Sequence, residues 1–501
     1  MLFEPRDAHD EQLIAAVHPP GWINPQPRGR YHLVIIGGGT AGLVTATGAA
    51  GLGARVALVE SRLLGGDCLN FGCVPSKALI ASARAAHAVA TASEFGWRGT
   101  LSGAWDSRAV MERVRALRAE ISPNDSAERL KSLGIDVFFG AAKFTGRASI
   151  VVDGQSLEFR RAVIATGTRP AEPPVSGLAE LGYLTNETVF SLTELPRRLI
   201  VMGAGAVGCE LAQAFRRLGS EVHLLNDLDR LLPKEDDTAR QLVAARFAAE
   251  GIHLHLGWQS MQAQRLGTAK ALLIGRASER RQLIADEILV AVGRRPNVEA
   301  LALDAAGIEA TAQSVTVNDY LQTTNPRVYA AGDVCTTVRH THAANAMARL
   351  VIQNALFLGR KKFSRLVIPR VTFTDPEIAH VGITEAKARQ LSLPIDSYWV
   401  DMHEVDRAML DGRTAGFAVA HTPRGRGEIL GATIACAGAG ELIGELTLAM
   451  NRKLSLAALD ATIHAYPTLA DVLGRLALKY QRTRLTPGTA RLLRTWLKWR
   501  G

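Results

Sequence analysis

The sequence predicts an α/β protein with two Rossmann-like nucleotide-binding folds, one inserted into the other. Two glycine-rich turns, "IIGGGTAG" near residue 40 and "VMGAGAVG" near residue 206, each follow an apolar strand and open a helix. This order of strand, turn and helix is typical of dinucleotide-binding units. Later strand ends, at 161–170, 293–297 and Asp333, indicate that the first fold is interrupted by the second and then resumes.

The first unit begins at residue 31 and carries a complete dinucleotide pattern. Gly37 makes the tight turn, Gly39 lets the backbone approach a pyrophosphate, and Gly42 lets the helix pack on the strand. The helix N-terminus holds the phosphates. Glu60 ends the second strand, where an acid binds ribose hydroxyls. Because strand, helix and acid are all in register, we expect a nucleotide here.

The second unit repeats the spacing with Gly203, Gly205 and Gly208. Asn226 lies 23 residues after Gly203, the interval that separates the acid of the first unit from its first glycine. An acid at this position favours NAD and a nearby Arg favours NADP. Asn226 indicates neither, and residues 227–230 mix acids with an arginine, so the choice between NADH and NADPH stays open.

Composition limits the class of protein. The chain has 501 residues, of which 47% are hydrophobic and 21% charged, as in soluble globular proteins. It contains no apolar run of the length that spans a membrane. The first thirty residues lack the apolar stretch of a secretion signal, and five cysteines are too few for a disulfide framework. We therefore expect a cytoplasmic protein.

The net charge of +10 is concentrated near the C-terminus. Residues 479–501 contain seven Lys or Arg and no acid, and Trp496 and Trp499 lie among them. Such a segment can form a cationic amphipathic helix on an anionic membrane, or a helix packed on its own protein with a solvated basic face. No nucleic-acid motif appears elsewhere, so we expect no nucleic-acid partner.

The stretch "GGDCLNFGCVPSK" contains Cys68 and Cys73, five positions apart. On a regular helix these side chains would point about 140° apart, so the segment must depart from a helix for the sulfurs to meet. Asn70 and Gly72 permit such a distortion, and Pro75 is acceptable only in an opening helical turn. A helix N-terminus also lowers the pKa of a thiol. The pattern predicts a reactive pair.

The two cysteines could instead be ligands of a metal site or inert buried thiols. A metal site would need two more ligands, and residues 53–86 contain no His and no further Cys. Two inert buried thiols would not need the glycine-rich surroundings. We expect no metal site, a core position for Cys209, and no role for Cys335 or Cys436.

Six motifs together resemble the flavoprotein disulfide reductases, which include dihydrolipoamide dehydrogenase, glutathione reductase and mercuric reductase. They are "GGGTAG", "GGDCLNFGCVPSK", "ATGTRP", "GAGAVGCE", "GRRPN" and "YAAGD", and the resemblance covers about 31–475. It implies a homodimeric enzyme with an FAD domain split around an NAD(P)H domain, followed by a C-terminal α+β dimerisation domain. The expected boundaries are 1–30 (N-terminal arm), 31–184 and 296–365 (FAD domain), 185–295 (NAD(P)H domain), 366–478 (interface domain) and 479–501 (basic tail).

The resemblance implies positions for both cofactors. FAD would meet Gly37, Gly39, Gly42, Glu60 and Asp333, whereas NADH or NADPH would meet Gly203, Gly205 and Gly208, with Arg294 nearby. Further cofactor-binding positions are Gly66, Lys77, Thr166, Gly167, Asn226, Gly293 and Gly332.

The resemblance also implies an electron relay from NAD(P)H through the flavin to the cysteine disulfide. Cys73 would lie against the flavin as a thiolate, and Cys68 would meet the substrate. Lys77 would pair with Glu210 near the flavin.

The pattern departs from the family near "IHAYPTLADVLG". Disulfide-reducing members have a His before the proline, supplied across the dimer interface, and a Glu four residues after it. Tyr466 and Asp471 stand at these positions. Tyr has a pKa near 10 and is a poor base at neutral pH, whereas His has a pKa near 6.5. His464 matches a spectator in some relatives, with a catalytic part as the alternative.

These departures favour an acceptor that needs no base. We expect electrons to reach a metal ion or small oxidant, as in mercuric reductase, although the C-terminal cysteine pair of that enzyme has no counterpart after Cys436. One alternative is a dihydrolipoamide dehydrogenase or other disulfide reductase in which Tyr466 or His464 compensates. An alternative of another class is a membrane-peripheral redox module that docks through its basic tail.

Overall fold

The computed structural model describes residues 6–99, 103–357 and 359–501. Two compact units are present: the first comprises Met1–Asp229 and Gly251–Leu366, and the second comprises Arg230–Glu250 and Val367–Gly501. The domain boundaries expected from the sequence remain predictions.

The strands of the first unit precede those of the second along the chain. They are β1 (Tyr31–Ile36), β2 (Val56–Glu60), β3 (Asp136–Phe139), β4 (Lys143–Gly146), β5 (Ser149–Val152), β6 (Gln155–Ile164), β7 (Thr168–Pro170), β8 (Arg198–Met202), β9 (Glu221–Asn226), β10 (His253–Leu256), β11 (Gln259–Leu266), β12 (Ala269–Arg276), β13 (Glu279–Ala285), β14 (Glu287–Val290), β15 (Arg294–Pro296), β16 (Val328–Ala330), β17 (Arg370–Thr372), β18 (Glu377–Gly382), β19 (Ile395–Asp401), β20 (Phe417–Pro423) and β21 (Gly431–Cys436).

The helices alternate with strands through most of the chain. They are α1 (Ala8–Val17), α2 (Thr40–Gly51), α3 (Gly66–Asn70), α4 (Cys73–Ala90), α5 (Ser107–Ile121), α6 (Ala127–Ser132), α7 (Leu178–Leu181), α8 (Ala206–Arg217), α9 (Asp237–Ala249), α10 (Thr341–Leu356), α11 (Glu385–Gln390), α12 (Asp406–Leu410), α13 (Ala439–Asn451), α14 (Leu456–Asp460), α15 (Asp471–Arg484) and α16 (Pro487–Arg500).

The first sheet has the order β3-β2-β1-β6-β5-β4, and β16 pairs with β6. Strands β1, β2, β3, β6 and β16 pair in parallel, which requires crossover connections such as α2. Every residue of β2 is buried, as expected for a strand covered on both faces. Because β16 comes after the whole second fold in the sequence, the predicted insertion of one Rossmann-like fold into the other is confirmed.

The second sheet has the order β10-β9-β8-β14, and its strands are parallel. Helix α8 connects β8 to β9, in the same way that α2 connects β1 to β2. An antiparallel sheet, β11-β12-β13, packs beside it around Trp258, Leu272 and Ile274. The edge of the second sheet formed by β9 and β10 is polar, with Glu221, His223 and His253 on it.

The second unit contains a five-stranded antiparallel sheet in the order β17-β18-β21-β20-β19. Helices α13, α14 and α15 contribute Leu446, Leu456 and Leu476 to a common core with this sheet. This α+β arrangement confirms the class predicted for the C-terminal part of the chain.

The N-terminal arm contains a helix that the sequence analysis did not predict. Leu13 and Val17 of α1 are fully buried, and Asp10 forms an ion pair of 2.9 Å with Arg118, with both side chains almost completely buried. After α1 the chain is extended. Asn24 donates to the carbonyl of Phe139 on the edge strand β3 and accepts from its N–H, both at 2.8 Å.

The basic tail forms α16, which has no buried residue. The preceding helix α15 runs through the boundary expected between residues 478 and 479. Across the part of the chain that the structure describes, no helix combines the length and the apolar character needed to cross a bilayer.

Candidate active site

The cysteine segment departs from a single helix, as predicted. Helix α3 ends at Asn70, and α4 begins at Cys73 after a break at Gly72. A Cβ atom at Gly72 would lie 2.9 Å from the carbonyl oxygen of Asp67, so a side chain there would force this carbonyl to move. The amide of the buried Asn70 donates to two carbonyls of the preceding turn, which fixes the end of α3. The break lets the two sulfurs converge.

Cys68 and Cys73 both have free thiols, and each thiol affects the pKa of the other. The hydrogen bond from Cys68 is the main reason that the pKa of Cys73 falls to about 6, while the pKa of Cys68 is raised. Thr341 Oγ1 lies 3.2 Å from Cys73 Sγ and adds to the effect. Cys73 also occupies the N-terminus of α4, where the helix dipole favours a negative charge. These contacts together favour the thiolate form of Cys73.

The ion pair between Lys77 and Glu210 lies beside this thiolate. Lys77 follows Cys73 by one helical turn, and its Nζ lies 2.6 Å from Glu210 Oε2. The Lys77 ammonium lowers the pKa of Cys73 and the Glu210 carboxylate raises it. Glu210 is on α8, which starts at the second glycine turn. The pair thus connects the cysteine helix to the second nucleotide fold.

A cavity of about 800 Å³ opens in front of the cysteines. Many of the predicted site residues line this single space, including most of those assigned to FAD. They are Gly37, Gly39, Glu60, Gly66, Cys68, Cys73, Thr166, Gly167, Arg294, Gly332 and Asp333. Gly42, Lys77, Glu210, Gly293 and the three glycines of the second turn are not on its wall.

The first glycine turn has the geometry that a pyrophosphate requires. Gly37 has φ +109°, and a Cβ at Gly42 would lie 1.8 Å from the Gly37 carbonyl oxygen. A Cβ at Gly66 would lie 2.7 Å from the Cα atom of Gly39, so two backbones meet where the cavity reaches the helix. The first N–H groups of a helix have no partner within it. Space and donors are therefore both present for FAD, the cofactor expected at this turn.

Glu60 closes the first turn from the end of β2. Its Oε2 accepts from Gly38 N and its Oε1 from Arg62 N, both at 2.6 Å. Burial raises its pKa, whereas the backbone donors lower it. Because each oxygen has a further lone pair and the side chain lines the cavity, it can also accept from a ribose hydroxyl.

The second glycine turn repeats this backbone. Gly203 has φ +102°, and a Cβ at Gly208 would lie 1.9 Å from the Gly203 carbonyl oxygen. Gly205 precedes α8 as Gly39 precedes α2. Asn226 Oδ1 accepts from Ala204 N at 3.2 Å, which is the contact that the carboxylate makes in the first turn. The turn fits a dinucleotide but has no carboxylate at its ribose position.

Arg294, which the sequence analysis expected near the pyridine nucleotide, contacts side chains around the first fold, and its role toward the nucleotide remains a prediction. Its guanidinium contacts Asp67 and donates to Thr168 Oγ1 at 2.7 Å and to Asn186 Oδ1 at 3.2 Å. The cause is the pairing of β15 with β7, which brings Arg294 beside the end of the first fold. Arg294 also lowers the pKa of Asp333, which burial raises.

In the second unit Tyr466 is 72% exposed, and its hydroxyl donates to Asp406 Oδ2 at 2.8 Å. This hydrogen bond to a carboxylate raises the pKa of Tyr466 above its ordinary value. Asp471 accepts from Arg475 Nε at 2.6 Å, and Arg475 also reaches Asp406. These four side chains form one polar chain in which Tyr466 and Arg475 donate hydrogen bonds and the two carboxylates accept them.

His464 lies two residues earlier but has different surroundings. Its Nε2 is 3.1 Å from Glu445 Oε1, and its side chain is only 9% exposed. A buried His beside a carboxylate can have a structural or a proton-transfer role, so the assignment of His464 remains a prediction.

Thr341 and Asp67 also belong to the site, although they were not predicted from the sequence. Thr341 reaches Cys73 from the start of α10, far along the chain. A Thr at a helix N-terminus, in "HTHAANA", was the available signal. Asp67 precedes the first cysteine directly, but nothing in the sequence indicates its contact with Arg294. The other three cysteines, Cys209, Cys335 and Cys436, are buried, as expected for a core position of Cys209.

Comparison with known families gives two matches that cover most of the chain. Residues 31–348 match the family "Pyridine nucleotide-disulphide oxidoreductase". Residues 368–477 match "Pyridine nucleotide-disulphide oxidoreductase, dimerisation domain", which indicates a homodimer.

Two curated relatives illustrate the similarity in sequence. The chain is 32% identical to a mercuric reductase of Staphylococcus aureus over 482 residues, which covers 94% of this chain and 88% of the relative. It is 31% identical to the dihydrolipoyl dehydrogenase of Bacillus subtilis over 459 residues, which covers 88% of this chain and 96% of the relative.

Two solved structures illustrate the similarity in fold. The HOCl-induced flavoprotein disulfide reductase RclA from Escherichia coli has a TM-score of 0.80 at 26% identity, covering 89% of this chain and 99% of that one. LpdA from Mycobacterium tuberculosis has a TM-score of 0.82 at 26% identity, with the same coverage. The chain therefore belongs to the class I pyridine nucleotide-disulphide oxidoreductases, and it is an FAD-containing, NAD(P)H-dependent enzyme.

Proposed function

We propose that this enzyme uses NADH or NADPH to reduce a metal ion or a small oxidant through the Cys68–Cys73 pair. The observation that carries the proposal is the state of Tyr466, which stands where disulfide-reducing relatives have a His. Its hydroxyl donates to Asp406, and this contact raises its pKa. Tyr466 therefore keeps its proton at neutral pH.

The replacement of a His base by a protonated Tyr466 distinguishes disulfide acceptors from metal ions and small oxidants. A base must remove the proton from the attacking thiol, and the thiolate that leaves the disulfide substrate must then be protonated. A metal ion or quinone accepts electrons without a leaving thiol. A site with a reactive thiol pair and without a His base thus suits the second class.

The thiol pair has the chemistry to bind a soft ion. Thiolates prefer soft metals such as Cu(I), and the contacts of Cys73 favour its thiolate form. RclA, which resembles this chain in fold, has been solved as a Cu(II) complex. Several relatives of similar identity are mercuric reductases. We infer that a soft metal ion is the first acceptor to examine.

The residues of the site would have distinct roles. FAD, when bound in the cavity, would supply two-electron transfer between the nicotinamide and the thiol pair. Cys73 would face the cofactor as the stabilised thiolate, and Cys68, which keeps its proton, would meet the acceptor. Lys77 would hold the negative charge of the thiolate while Glu210 fixes the ammonium. Glu60 would hold the ribose of the FAD.

A steady-state comparison of acceptors tests the proposal. Lipoamide, oxidised glutathione, Hg(II), Cu(II) and a quinone would each be supplied with NADH and with NADPH. We expect turnover with a metal ion or quinone, and its loss in Cys68→Ser and Cys73→Ser. Efficient turnover of lipoamide by the native enzyme at neutral pH would refute the proposed acceptor class.

Tyr466→His sharpens this test. The change supplies a group with a pKa near 6.5, and general acid–base catalysis contributes typically about 10²- to 10⁴-fold. We expect lipoamide turnover to rise by an amount in this range. Tyr466→Phe is the matched control, because it removes the hydroxyl without adding a base and should produce no rise.

A disulfide reductase is the second candidate, and the pair of His464 and Glu445 favours it. A carboxylate 3.1 Å from Nε2 can orient an imidazole. If His464 is the base, His464→Gln abolishes lipoamide turnover. If it is a structural residue, the substitution lowers the melting temperature and leaves the acceptor preference unchanged.

The tail suggests an additional contact with an anionic membrane surface. Helix α16 buries no residue, and Trp496 and Trp499 are 47% and 83% exposed. Its basic side chains complement anionic headgroups, and its Trp and Leu side chains suit the interface. Flotation with vesicles of anionic lipid should recover the full chain but not a chain ending at Tyr480. Vesicles of neutral lipid are the control, and equal recovery of both chains would refute the contact.

A further inference from the structure

A cluster of histidine and glutamate side chains lies at the polar edge of the second sheet, outside the cavity of the cysteines. Glu221 and His223 are two residues apart on β9, so they point to the same face of the sheet. His253 begins β10 and pairs with His223 in the parallel register. One ligand atom from each of the three residues lies within 4.8 Å of the other two.

We propose that Glu221, His223 and His253 form a binding site for one divalent transition-metal ion. Imidazole and carboxylate are ligands that suit Zn²⁺, Cu²⁺ and Ni²⁺. Three protein ligands leave a coordination position for water, as in many zinc sites. This site is distinct from the thiol pair, and it would hold an ion that is not the electron acceptor.

The spacing of the first two ligands already fits such an ion. His223 Nε2 lies 3.4 Å from Glu221 Oε1. Two ligands of a tetrahedral Zn²⁺ with bonds of 2.0–2.1 Å lie about 3.3 Å apart. These two atoms therefore need almost no movement to bind the same ion.

His253 needs only a side-chain rotation to complete the set. Its ring stacks on that of His223, with the centroids 4.7 Å apart and the planes at 21°. His253 is exposed at the start of the edge strand β10. Because the terminal torsion of His is broad, an exposed imidazole turns at little cost.

His255 supplies the supporting contact that a metal-binding histidine usually has. Its Nε2 lies 3.0 Å from His223 Nδ1, on the side of the ring away from Glu221. A histidine that binds a metal through one nitrogen generally donates a hydrogen bond from the other. A neutral imidazole has one nitrogen with a free lone pair, which can accept this bond. His255 is a positioning residue of the site.

A bound ion would connect the edge strand to its neighbour, since Glu221 and His223 are on β9 and His253 is on β10. An ion that binds only the folded protein raises its stability with increasing concentration. We therefore expect Zn²⁺ to raise the melting temperature of the protein, and to do so without any electron transfer.

Zinc titration of the oxidised, full-length flavoprotein tests the proposal. Oxidation keeps the cysteines in a disulfide, so that the thiols cannot bind the ion. After treatment with EDTA and removal of the chelator, calorimetry should show one Zn²⁺ per chain, accompanied by a rise in melting temperature. Absence of Zn²⁺ uptake by the native protein would overturn the proposal.

Matched variants identify the ligands. Glu221→Gln and His253→Gln should abolish the uptake and the thermal shift, and His255→Gln should weaken binding by about 10- to 100-fold. His403→Gln is the control, because His403 is exposed and forms a simple pair of 2.8 Å with Asp401. The melting temperature in EDTA shows whether each variant is folded. Uptake by a folded Glu221→Gln or His253→Gln equal to that of the native protein would contradict the assignment.

The measurement needs neither NAD(P)H nor an electron acceptor. Failure of zinc binding would therefore leave the proposed electron transfer intact, and failure of metal-ion or quinone reduction would leave the zinc site intact.

Discussion

The two glycine turns of the first unit have nearly the same backbone and differ in the side chain that closes them. Gly37 and Gly203 have φ angles of +109° and +102°, and the third glycine of each turn lies against the first at almost the same distance. The first turn is closed by the carboxylate of Glu60, and the second by the amide of Asn226.

The surroundings of the turns differ as well. A second backbone, at Gly66, meets the first turn where a cavity opens, and Glu60 lines that cavity. The glycine spacing, which the two turns share, therefore determines the shape of the turn. The closing side chain and the neighbouring chain determine which nucleotide binds and how tightly it is held.

Replacing the third glycine should have the largest effect. An alanine at Gly42 or Gly208 would put Cβ less than 2 Å from a carbonyl oxygen, so the helix must move away from the strand. We expect a loss of about 3 kcal/mol of stability for each, at the upper end of the usual cost of overpacking. Gly42→Ala should also lose bound flavin, whereas Gly208→Ala should keep its flavin but lose reduction by NAD(P)H. Flavin content and the rate of flavin reduction by NAD(P)H measure the two effects, and reduction by dithionite is the control.

Gly444→Ala is the control for these two variants. Gly444 is in α13, and a Cβ there would meet no atom within 4 Å. Alanine favours a helix over glycine by about 1 kcal/mol, so this variant should be at least as stable as the native protein. Loss of flavin from Gly208→Ala would show that the two turns are not independent.

Glu60→Gln should have the next largest effect. Gly38 N and Arg62 N each donate to a different oxygen of Glu60. A glutamine can accept only one of these bonds and presents its NH₂ group to the other donor, which costs about 1–3 kcal/mol. Urea unfolding of the native and variant proteins measures this cost. An unchanged midpoint would mean that the carboxylate does not hold the turn.

Asn226→Asp makes the second turn resemble the first. A carboxylate at this position accepts from the ribose hydroxyls of NADH and repels the 2′-phosphate of NADPH. We expect the ratio of kcat/KM for NADH over NADPH to rise about tenfold, which corresponds to one charged hydrogen bond. Asp229→Asn nearby is the control for a general change of charge. A shift toward NADPH would contradict the equivalence of the two turns.

Lys77→Gln and Glu210→Gln test the connection between the two regions, with smaller effects of opposite sign. Loss of the Lys77 ammonium should raise the pKa of Cys73 above about 6, and loss of the Glu210 carboxylate should lower it. The pH dependence of alkylation of Cys73 in the reduced protein, followed by peptide mapping, reports this pKa. If both variants shift the pKa of Cys73 in the same direction, the charges of Lys77 and Glu210 do not act on Cys73 independently.

This depressed pKa also has a consequence for stability. Because the folded-state pKa of Cys73 is below that of a free thiol, the thiolate stabilises the reduced protein at high pH. This contribution is lost as the pH falls through about 6. Unfolding of the reduced native protein should therefore become easier over that range, and a Cys73→Ser variant should not show this component.

The features that sequence predicted best are those for which only one residue type fits. Gly37 and Gly72 are examples, because a positive φ or a close carbonyl excludes a side chain. The break before Cys73 was predictable for a similar reason, since two residues five apart cannot meet on a regular helix.

Contacts between distant segments were not predictable in the same way. Thr341 reaches Cys73 only because α10 begins beside the cysteine helix, and Arg294 turns to Asp67 only because β15 pairs with β7. Helix α1 was missed because its apolar residues are gathered in its second half, after a polar first half. Asp10 and Arg118 look like surface charges until they are seen as a buried pair. In each case the partner is far along the chain.

The two hydrogen bonds between Asn24 and Phe139 protect an edge strand of the first sheet. Strand β3 is at the margin of its sheet, where unsatisfied N–H and C=O groups can recruit a strand from another molecule. The side-chain amide of Asn24 occupies both groups of Phe139, and Trp22 takes the carbonyl of Val137. The N-terminal segment thus protects this edge strand from pairing with another molecule. Its removal should make the enzyme prone to aggregate before electron transfer is affected.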